Sequence, residues 1–416
     1  MKIAIIGGGA AGMMVAATLL EKDFDGEIHL FDKNESLGKK VIISGGGRCN
    51  VTTGLRDEHV LLKKYIRGAD FLKFALKAFS PERVYEWFEK QGVPLKIEED
   101  LRVFPVSDDG HDIVRVFEKM FLKHPNVHIH LSENVVSVTK KNNHFQVETR
   151  CIASLPVFDV VVLTTGGNAY QHTGSTGDGY DFTRACGHTI TPLGPSLNSF
   201  ETKESWCKNL SGISFPEAEV SFEVNGKQMK VSGPFLFTHF GISGPLTFIV
   251  SAQSAFEKIN PEHPFTIRWL PEAGVYFEDW ESRLQKAFSE NGLKQISSIL
   301  DFWLPKRLVI ELLTFLDILE TKKASQISKE ERRSISHILS GDLKISLMQR
   351  RPGDEFVTAG GVDLSEVNPK TMESKICPNL YFAGEILNID GVTGGFNLQS
   401  SWATGRMAGE AVLRNL

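Results

Sequence analysis

The chain has 416 residues, of which 41% are hydrophobic and 23% charged, and a formal net charge of −5. That length allows two or three domains with a large core, and the balance is that of a soluble globular protein with no overall field for nucleic acid or an anionic membrane. No stretch approaches a charge-free membrane span, and five widely spaced cysteines without a Cys-x-x-Cys pair argue against a disulfide framework or a zinc site. The chain is therefore read as cytoplasmic, reduced and metal-free.

Lys2-Ile3-Ala4-Ile5-Ile6 reads as a strand, followed by Gly7-Gly8-Gly9-Ala10-Ala11-Gly12 and the small-residue helix beginning Met13-Met14-Val15. This is not a secretory leader: Lys2 is its only basic flank, and it runs into Glu21-Lys22-Asp23 without a cleavage-like site. Strand, Gly7-x-Gly9-x-x-Gly12 and helix together make a dinucleotide fingerprint. Gly7 allows the tight turn, Gly9 lets a pyrophosphate approach the backbone, and Gly12 lets the helix lie close on the sheet. The helix N-terminus, with Ala10 and Ala11, offers unpaired N–H groups and positive potential. Glu27 to Phe31 reads as the second strand. Asp32, beside Lys33, stands where an acid takes ribose hydroxyls and repels a 2′-phosphate. The fingerprint alone leaves NAD and FAD level.

Further along, Pro81 to Trp87 reads as a helix capped by Ser80 and ended by Gly92, and Asp112 to Phe121 as another. Val127 to Ser132, Asn134 to Thr139 (with Val135 counted among the cofactor contacts) and His144 to Thr149 read as a strand and hairpin series. Phe158 to Leu163 is an apolar run broken only by Asp159, the mark of a strand buried on both faces of a parallel sheet. After Pro192 the texture changes to short strands, Glu219 to Val224, Met229 to Val231 and Phe265 to Leu270, which predicts a small antiparallel barrel or sandwich. Helices follow over Phe277 to Phe288, Leu293 to Trp303, Leu308 to Ile318 and Lys329 to Leu339, the last with a Ser328/Glu331 capping box and a stop at Gly341. Lys322-Lys323 and Arg350-Arg351 read as solvated surface. From Glu355 the α/β texture returns, with a strand at Asn379 to Glu385 and a helix at Gln399 to Leu413. The expected organisation is a discontinuous α/β dinucleotide domain (1–192 and 355–416), a β-barrel insert (193–272 and 342–354) and a helical insert (273–341).

Other glycine clusters carry chemistry. Ser44-Gly45-Gly46-Gly47-Arg48-Cys49-Asn50 offers bare amides for a pyrophosphate or an isoalloxazine edge, while Lys40 and Arg48 can offset phosphate charge or stabilise a reduced flavin. Thr165-Gly166-Gly167 brings main chain to the same cofactor. Gly384-Glu385 and Gly394-Gly395-Phe396-Asn397-Leu398 lead into the closing helix, whose N-terminus can favour negative charge on a flavin. These clusters decide for FAD over NAD.

The fingerprint, Ser44 to Asn50, Thr238-His239-Phe240-Gly241-Ile242-Ser243-Gly244-Pro245, Gly360-Gly361-Val362, Gly384-Glu385 and Asp390-Gly391-x-x-Gly394-Gly395-Phe396-Asn397-Leu398 resemble the BaiN-like (YhiN-like) flavoprotein family across essentially the whole chain. That family is similar to fumarate reductase and succinate dehydrogenase flavoproteins. The resemblance implies a Rossmann-like FAD domain of the glutathione-reductase/fumarate-reductase type, interrupted by a small β-barrel and a helical insert. It also implies an FAD-dependent, NAD(P)H-linked oxidoreductase, with one branch reducing carbon–carbon double bonds of bile-acid intermediates and another acting as an aminoacetone oxidase. Asn388 stands where an Asp is expected, so no acid–base role is placed on it. Asp32 is shorter than the usual Glu, and Ser44 to Asn50 holds no histidine for a covalent flavin bond, so FAD is expected to be non-covalent.

Two roles are open to His239, a proton donor facing the flavin or a satisfied structural residue. Arg48 can bind an anionic substrate group or the cofactor, and Cys49 reads as a packed residue. No second glycine fingerprint is present, since Gly174 to Gly179 has the wrong spacing, so NAD(P)H is expected to visit transiently. The reading is hydride transfer from NAD(P)H through FAD to a small organic substrate, by a monomer or homodimer without membrane or nucleic-acid partners. The alternatives are an amine oxidase using oxygen and a tRNA-directed flavoprotein; the acidic balance and absent basic tail speak against the second.

Overall fold

A computed structural model of the chain describes residues 1–152 and 155–414. Residues 153–154 and 415–416, which fall within the spans 1–192 and 355–416, lie outside the described residues. Contacts divide the chain into two compact units, Met1–Ser196 with Glu355–Leu416, and Leu197–Asp354.

The first unit is built on a parallel sheet of β1 (Lys2–Ile6), β2 (Glu27–Phe31), β3 (Val127–His130), β4 (Val160–Leu163) and β5 (Leu380–Phe382), in the order β5-β4-β1-β2-β3. Ile3, Ile5, Ile28, Leu30 and the whole of β4 are buried, as apolar strands covered on both faces must be. Four of the candidate turns then fall at the carboxyl end of a strand: Gly7 after β1, Asp32 after β2, Thr165 after β4 and Gly384 after β5. That edge is where open α/β sheets receive ligands.

The opening helix (Ala10–Glu21) is buried on all sides except at Glu21, so it is apolar all round. The closing helix (Phe396–Arg414) lies against it. A Cβ on Gly405 would stand 2.6 Å from the Ala11 carbonyl oxygen, and one on Gly409 would stand 2.8 Å from Cβ of Thr18. Two glycines one turn apart are what bring these helices so near.

The second unit holds a closed antiparallel barrel of six strands, Phe200–Thr202, Ser214–Val224, Lys227–Phe237, Gly241–Ser243, Phe265–Leu270 and Lys344–Arg350. Phe215, Val220, Phe235, Phe237, Trp269 and Leu347 are buried and share one hydrophobic core with Trp280, Leu312 and Ile335 of the helices. A helix at Pro245–Gln253, absent from the strand pattern, also belongs to this unit. The expected helix at Leu293 to Trp303 shortens to Ile296–Leu300, because Gln295 bridges to Lys323 and the Ile296 N–H donates to the Lys322 carbonyl. Arg350 is not solvated surface: its guanidinium donates to the carbonyls of Ser254 and Glu257 beyond the Pro245–Gln253 helix. Burial there pushes its pKa down to about 10. No helix among the described residues is long and apolar enough to cross a membrane.

The Ser328 cap is present, with Oγ accepting from the Glu331 N–H at 3.1 Å and the Glu331 carboxylate accepting from the Ser328 N–H at 2.8 Å. Ser328→Ala is expected to cost about 1 kcal/mol, read as a lower urea midpoint with the far-ultraviolet spectrum unchanged.

Candidate functional site

The site grows from the turn after β1. Gly7 takes φ +112°, and a Cβ there would stand 2.4 Å from the Thr164 carbonyl oxygen; one on Gly12 would stand 1.9 Å from the Gly7 carbonyl oxygen. Both positions therefore demand glycine for internal reasons. Gly9 differs, since a Cβ on it would meet nothing within 4 Å. It caps the opening helix without any side-chain hydrogen bond. The helix start is thus open above a bare backbone, with N–H groups lacking intrahelical partners. Gly46 and Gly47 repeat the pattern, with φ of +73° and +91° and open space at the Cβ position. A cradle of bare amides at a strand's carboxyl edge fits a dinucleotide pyrophosphate.

Asp32 follows β2 as expected. Its Oδ2 accepts from the Gly8 N–H at 2.8 Å, and Oδ1 accepts from Asn34 N and Nδ2 at 2.8 and 2.9 Å. Burial nonetheless raises its pKa, against those N–H donors. A carboxylate offers roughly four lone-pair sites, so about one remains for a ribose hydroxyl. Val135 lies beside this point, buried in a hairpin strand two residues beyond Glu133, whose N–H donates to the Asp32 carbonyl at 3.0 Å.

The other clusters meet the same edge. Gly384, at φ +80°, would place a Cβ 2.9 Å from that of Ala11, and its N–H donates to Thr404 Oγ1 at 2.9 Å. With its amide oriented to donate to the Thr52 carbonyl, Asn50 accepts from the Gly395 N–H at 3.0 Å. That single side chain ties the Ser44 to Asn50 loop to the start of the closing helix. Asn397 clamps the Gly391 peptide through Oδ1 and Nδ2 at 2.9 and 3.0 Å. Phe396 is buried beneath Gly394, and Leu398 packs on the core. Thr165 Oγ1 is buried against Gly179 without a hydrogen-bond partner among the described residues. Gly166 adopts φ +74°, and Gly167 sits against Thr358 and Glu385.

Three cations near the cradle are paired with carboxylates. Lys40 Nζ pairs with Glu385 Oε2 at 2.8 Å in a half-buried site, and Glu385 Oε1 accepts from the Thr358 N–H at 2.9 Å. Lys40 therefore brings no net charge. Lys33 Nζ is held by Asp178 and Thr176, both at 2.5 Å. Arg48 turns towards Glu98 and Asp108, at 2.7 and 3.4 Å, and lies 3.7 Å above the Phe104 ring. Ion pairing raises its pKa, Glu98 first. In the ligand-free chain the Arg48 guanidinium is thus paired with two carboxylates. Cys49 is fully buried, and burial pushes its thiol up to about 12, so it is no thiolate nucleophile.

His239 belongs to the second unit, on the turn between the strands Lys227–Phe237 and Gly241–Ser243. Its ring is exposed and meets Phe240 edge to face at 5.1 Å.

A buried ion pair escaped the sequence reading. Asp390 is fully buried, bound through both oxygens by Arg67 and, at 2.9 Å, by the Ser196 hydroxyl. Burial raises its pKa while Arg67 opposes that rise. Next to it, the Tyr65 hydroxyl donates to the Phe396 carbonyl at 2.9 Å. Asp390 stands within a quoted motif, but nothing local marks Arg67 as its partner. Asn388 keeps a buried Oδ1 without a partner among the described residues.

Known proteins agree with this architecture. The model of the HI0933-like protein Rossmann domain matches residues 1–411. A 3-dehydro-bile acid Δ(4,6)-reductase of Clostridium scindens is 29% identical, over 99% of this chain and 98% of its own length. A ribosomal RNA dihydrouridine synthase of Escherichia coli is 28% identical, over 96% of this chain and 95% of its own. Among solved structures, an E. coli quinol fumarate reductase chain superposes with a TM-score of 0.50 at 16% identity, covering 100% of this chain and 70% of that one, which shows a shared fold. With a glycine cradle at the strand ends and a family match over nearly its whole length, the chain belongs to the HI0933-like Rossmann family and is an FAD-dependent oxidoreductase.

Proposed function

We propose that the protein carries a hydride from NAD(P)H, by way of non-covalent FAD, to an electron-poor carbon–carbon double bond of a small organic molecule. One observation carries the reading. Two relatives that match nearly the entire chain, a Δ(4,6)-reductase and a dihydrouridine synthase, are both named for reactions that saturate a carbon–carbon double bond. The bound flavin supplies the hydride-carrying chemistry. Gly7, Gly9, Ala10, Ala11 and Gly12 hold its pyrophosphate, and Asp32 takes a ribose hydroxyl. Val135, Thr165, Gly166 and Gly167 line the cofactor with main chain, as do Ser44 to Gly47. Asn50, Gly384 and the Gly394 to Leu398 turn aim the closing helix's N-terminus at the ring, where negative charge gathers on reduction. The Lys40–Glu385 pair positions its loop and adds no charge.

A second reading places the double bond in a uridine of ribosomal RNA, which the E. coli relative favours. The net charge of −5 weighs against a polyanionic substrate. Anaerobic titration of the yellow protein with NADH and NADPH should bleach it with one of the two. A steroid 4-en-3-one should then restore the colour. Restoration by a uridine-containing ribosomal RNA fragment instead would transfer the assignment to RNA. Peroxide release on adding aminoacetone in air would overturn the reductase in favour of an oxidase.

A further inference from the structure

Away from the glycine turns, the parallel sheet gathers three histidines and a carboxylate on one face. Strands β2 and β3 pair with His29 opposite His128 and Phe31 opposite His130. The two-residue period of a strand puts Glu27 and His29 on the same face of β2, and His128 and His130 on the same face of β3. Glu27, His29 and His128 each present a ligand atom, all within 4.8 Å of one another. Nε2 of His29 stands 3.3 Å from Oε2 of Glu27. The other ring nitrogen of His29, Nδ1, is 3.0 Å from Nε2 of His130.

We propose that Glu27, His29 and His128 bind a zinc-class divalent cation at the edge of the sheet, with His130 orienting His29. Two imidazoles and one carboxylate are a donor set that zinc takes with a water in the fourth place. At zinc–nitrogen distances of roughly 2.0–2.1 Å, tetrahedral donors stand about 3.4 Å apart, close to the 3.3 Å already present between His29 and Glu27. The Nδ1 contact matches the outer hydrogen bond that fixes the tautomer of a ligating histidine. With Nδ1–H donated to His130, the Nε2 lone pair of His29 faces Glu27 and His128. Calcium and magnesium prefer all-oxygen shells, so the cation belongs to the zinc, copper and nickel class. Lys2 Nζ lies 2.9 Å from Glu27 Oε2 and competes for that oxygen; being half-exposed, it can swing into solvent. Glu27 opens β2 and Asp32 follows its end, about 16 Å away at a strand rise of roughly 3.3 Å. The cation therefore clamps edge strand β3 to β2 and takes no part in the redox chemistry.

Flavin-loaded full-length protein, stripped with EDTA, is dialysed against ZnCl2 and its zinc content read by atomic emission. One equivalent per chain is expected, with affinity lowered about tenfold or more in His128→Asn, whose ring is exposed, and in Glu27→Gln. His263→Asn, an exposed histidine of the second unit, should bind as the parent does. Zinc, and not magnesium, should raise the melting temperature of the parent and leave that of His128→Asn unmoved. No uptake by the parent, or equal uptake by His128→Asn, would overturn the site.

Discussion

Gly9→Ala should yield a fully folded protein that binds its flavin far more weakly. Gly9 sits at φ −80°, ψ −167°, a conformation alanine adopts freely, and its Cβ would meet no protein atom within 4 Å. At such a position a Gly→Ala change is neutral or stabilises by about 0.4–1 kcal/mol, through the unfolded chain. The added methyl occupies the open space where a pyrophosphate must touch the turn. Forcing it out costs about 3 kcal/mol, or roughly 150-fold in affinity. Flavin fluorescence titration of the apoprotein, beside a thermal melt, measures both quantities. Gly12→Ala provides the contrast. Its Cβ would stand 1.9 Å from the Gly7 carbonyl and 2.8 Å from Thr164 Oγ1, so the turn itself must move and both melt and affinity should fall. If Gly9→Ala keeps its flavin at parental affinity, the cradle is wrongly placed.

Arg67→Ala is expected to be among the most destabilising single changes in the first unit. It removes the partner of a carboxylate that has no solvent exposure, leaving Ser196 as its remaining side-chain donor. Breaking a buried pair from one side costs about 3–5 kcal/mol, because the charge left behind is neither solvated nor paired. The pH dependence has a definite sign. Burial already raises the Asp390 pKa in the folded state, and losing Arg67 raises it further. A carboxyl whose folded pKa lies above its unfolded value contributes stability that is fully present below the unfolded pKa and lost as pH rises through the folded one. The variant should therefore regain stability as pH falls from neutrality towards the ordinary carboxylate range, with the parent changing less. Urea denaturation at a series of pH values reads this directly. A variant that unfolds at the parental midpoint at every pH would show that the pair adds nothing.

Local features were the legible ones. The β1 strand, the Gly7 to Gly12 turn and the opening helix are contiguous, so sterics and periodicity declare them within about twenty residues. The Ser328/Glu331 box and the all-buried β4 are legible for the same reason. The barrel was half visible: its long strands alternate, but Phe200–Thr202 and Gly241–Ser243 are three residues each and too short to show a period. The Pro245–Gln253 helix is nearly uniform in polarity around its axis and gave no helical stripe. What stayed hidden depends on pairs far apart in sequence. Asp390 selects Arg67 over a separation of 323 residues, and Lys40 selects Glu385 over 345. The partners of Arg48 were hidden in the same way, since Glu98 and Asp108 lie 50 and 60 residues further on.

The pairing of the opening and closing helices has a consequence for the order of events on the ribosome. About 375 residues separate Glu21 from Phe396, and at roughly 5–20 residues per second that interval lasts about 20–75 s. Throughout it, an apolar helix waits without the glycine-lined partner that covers it. The second unit is one continuous segment, Leu197–Asp354, and can complete its core within that time. The nascent chain is thus expected to pass through a state with a finished barrel and an unfinished nucleotide site, and that state is the one a chaperone would meet.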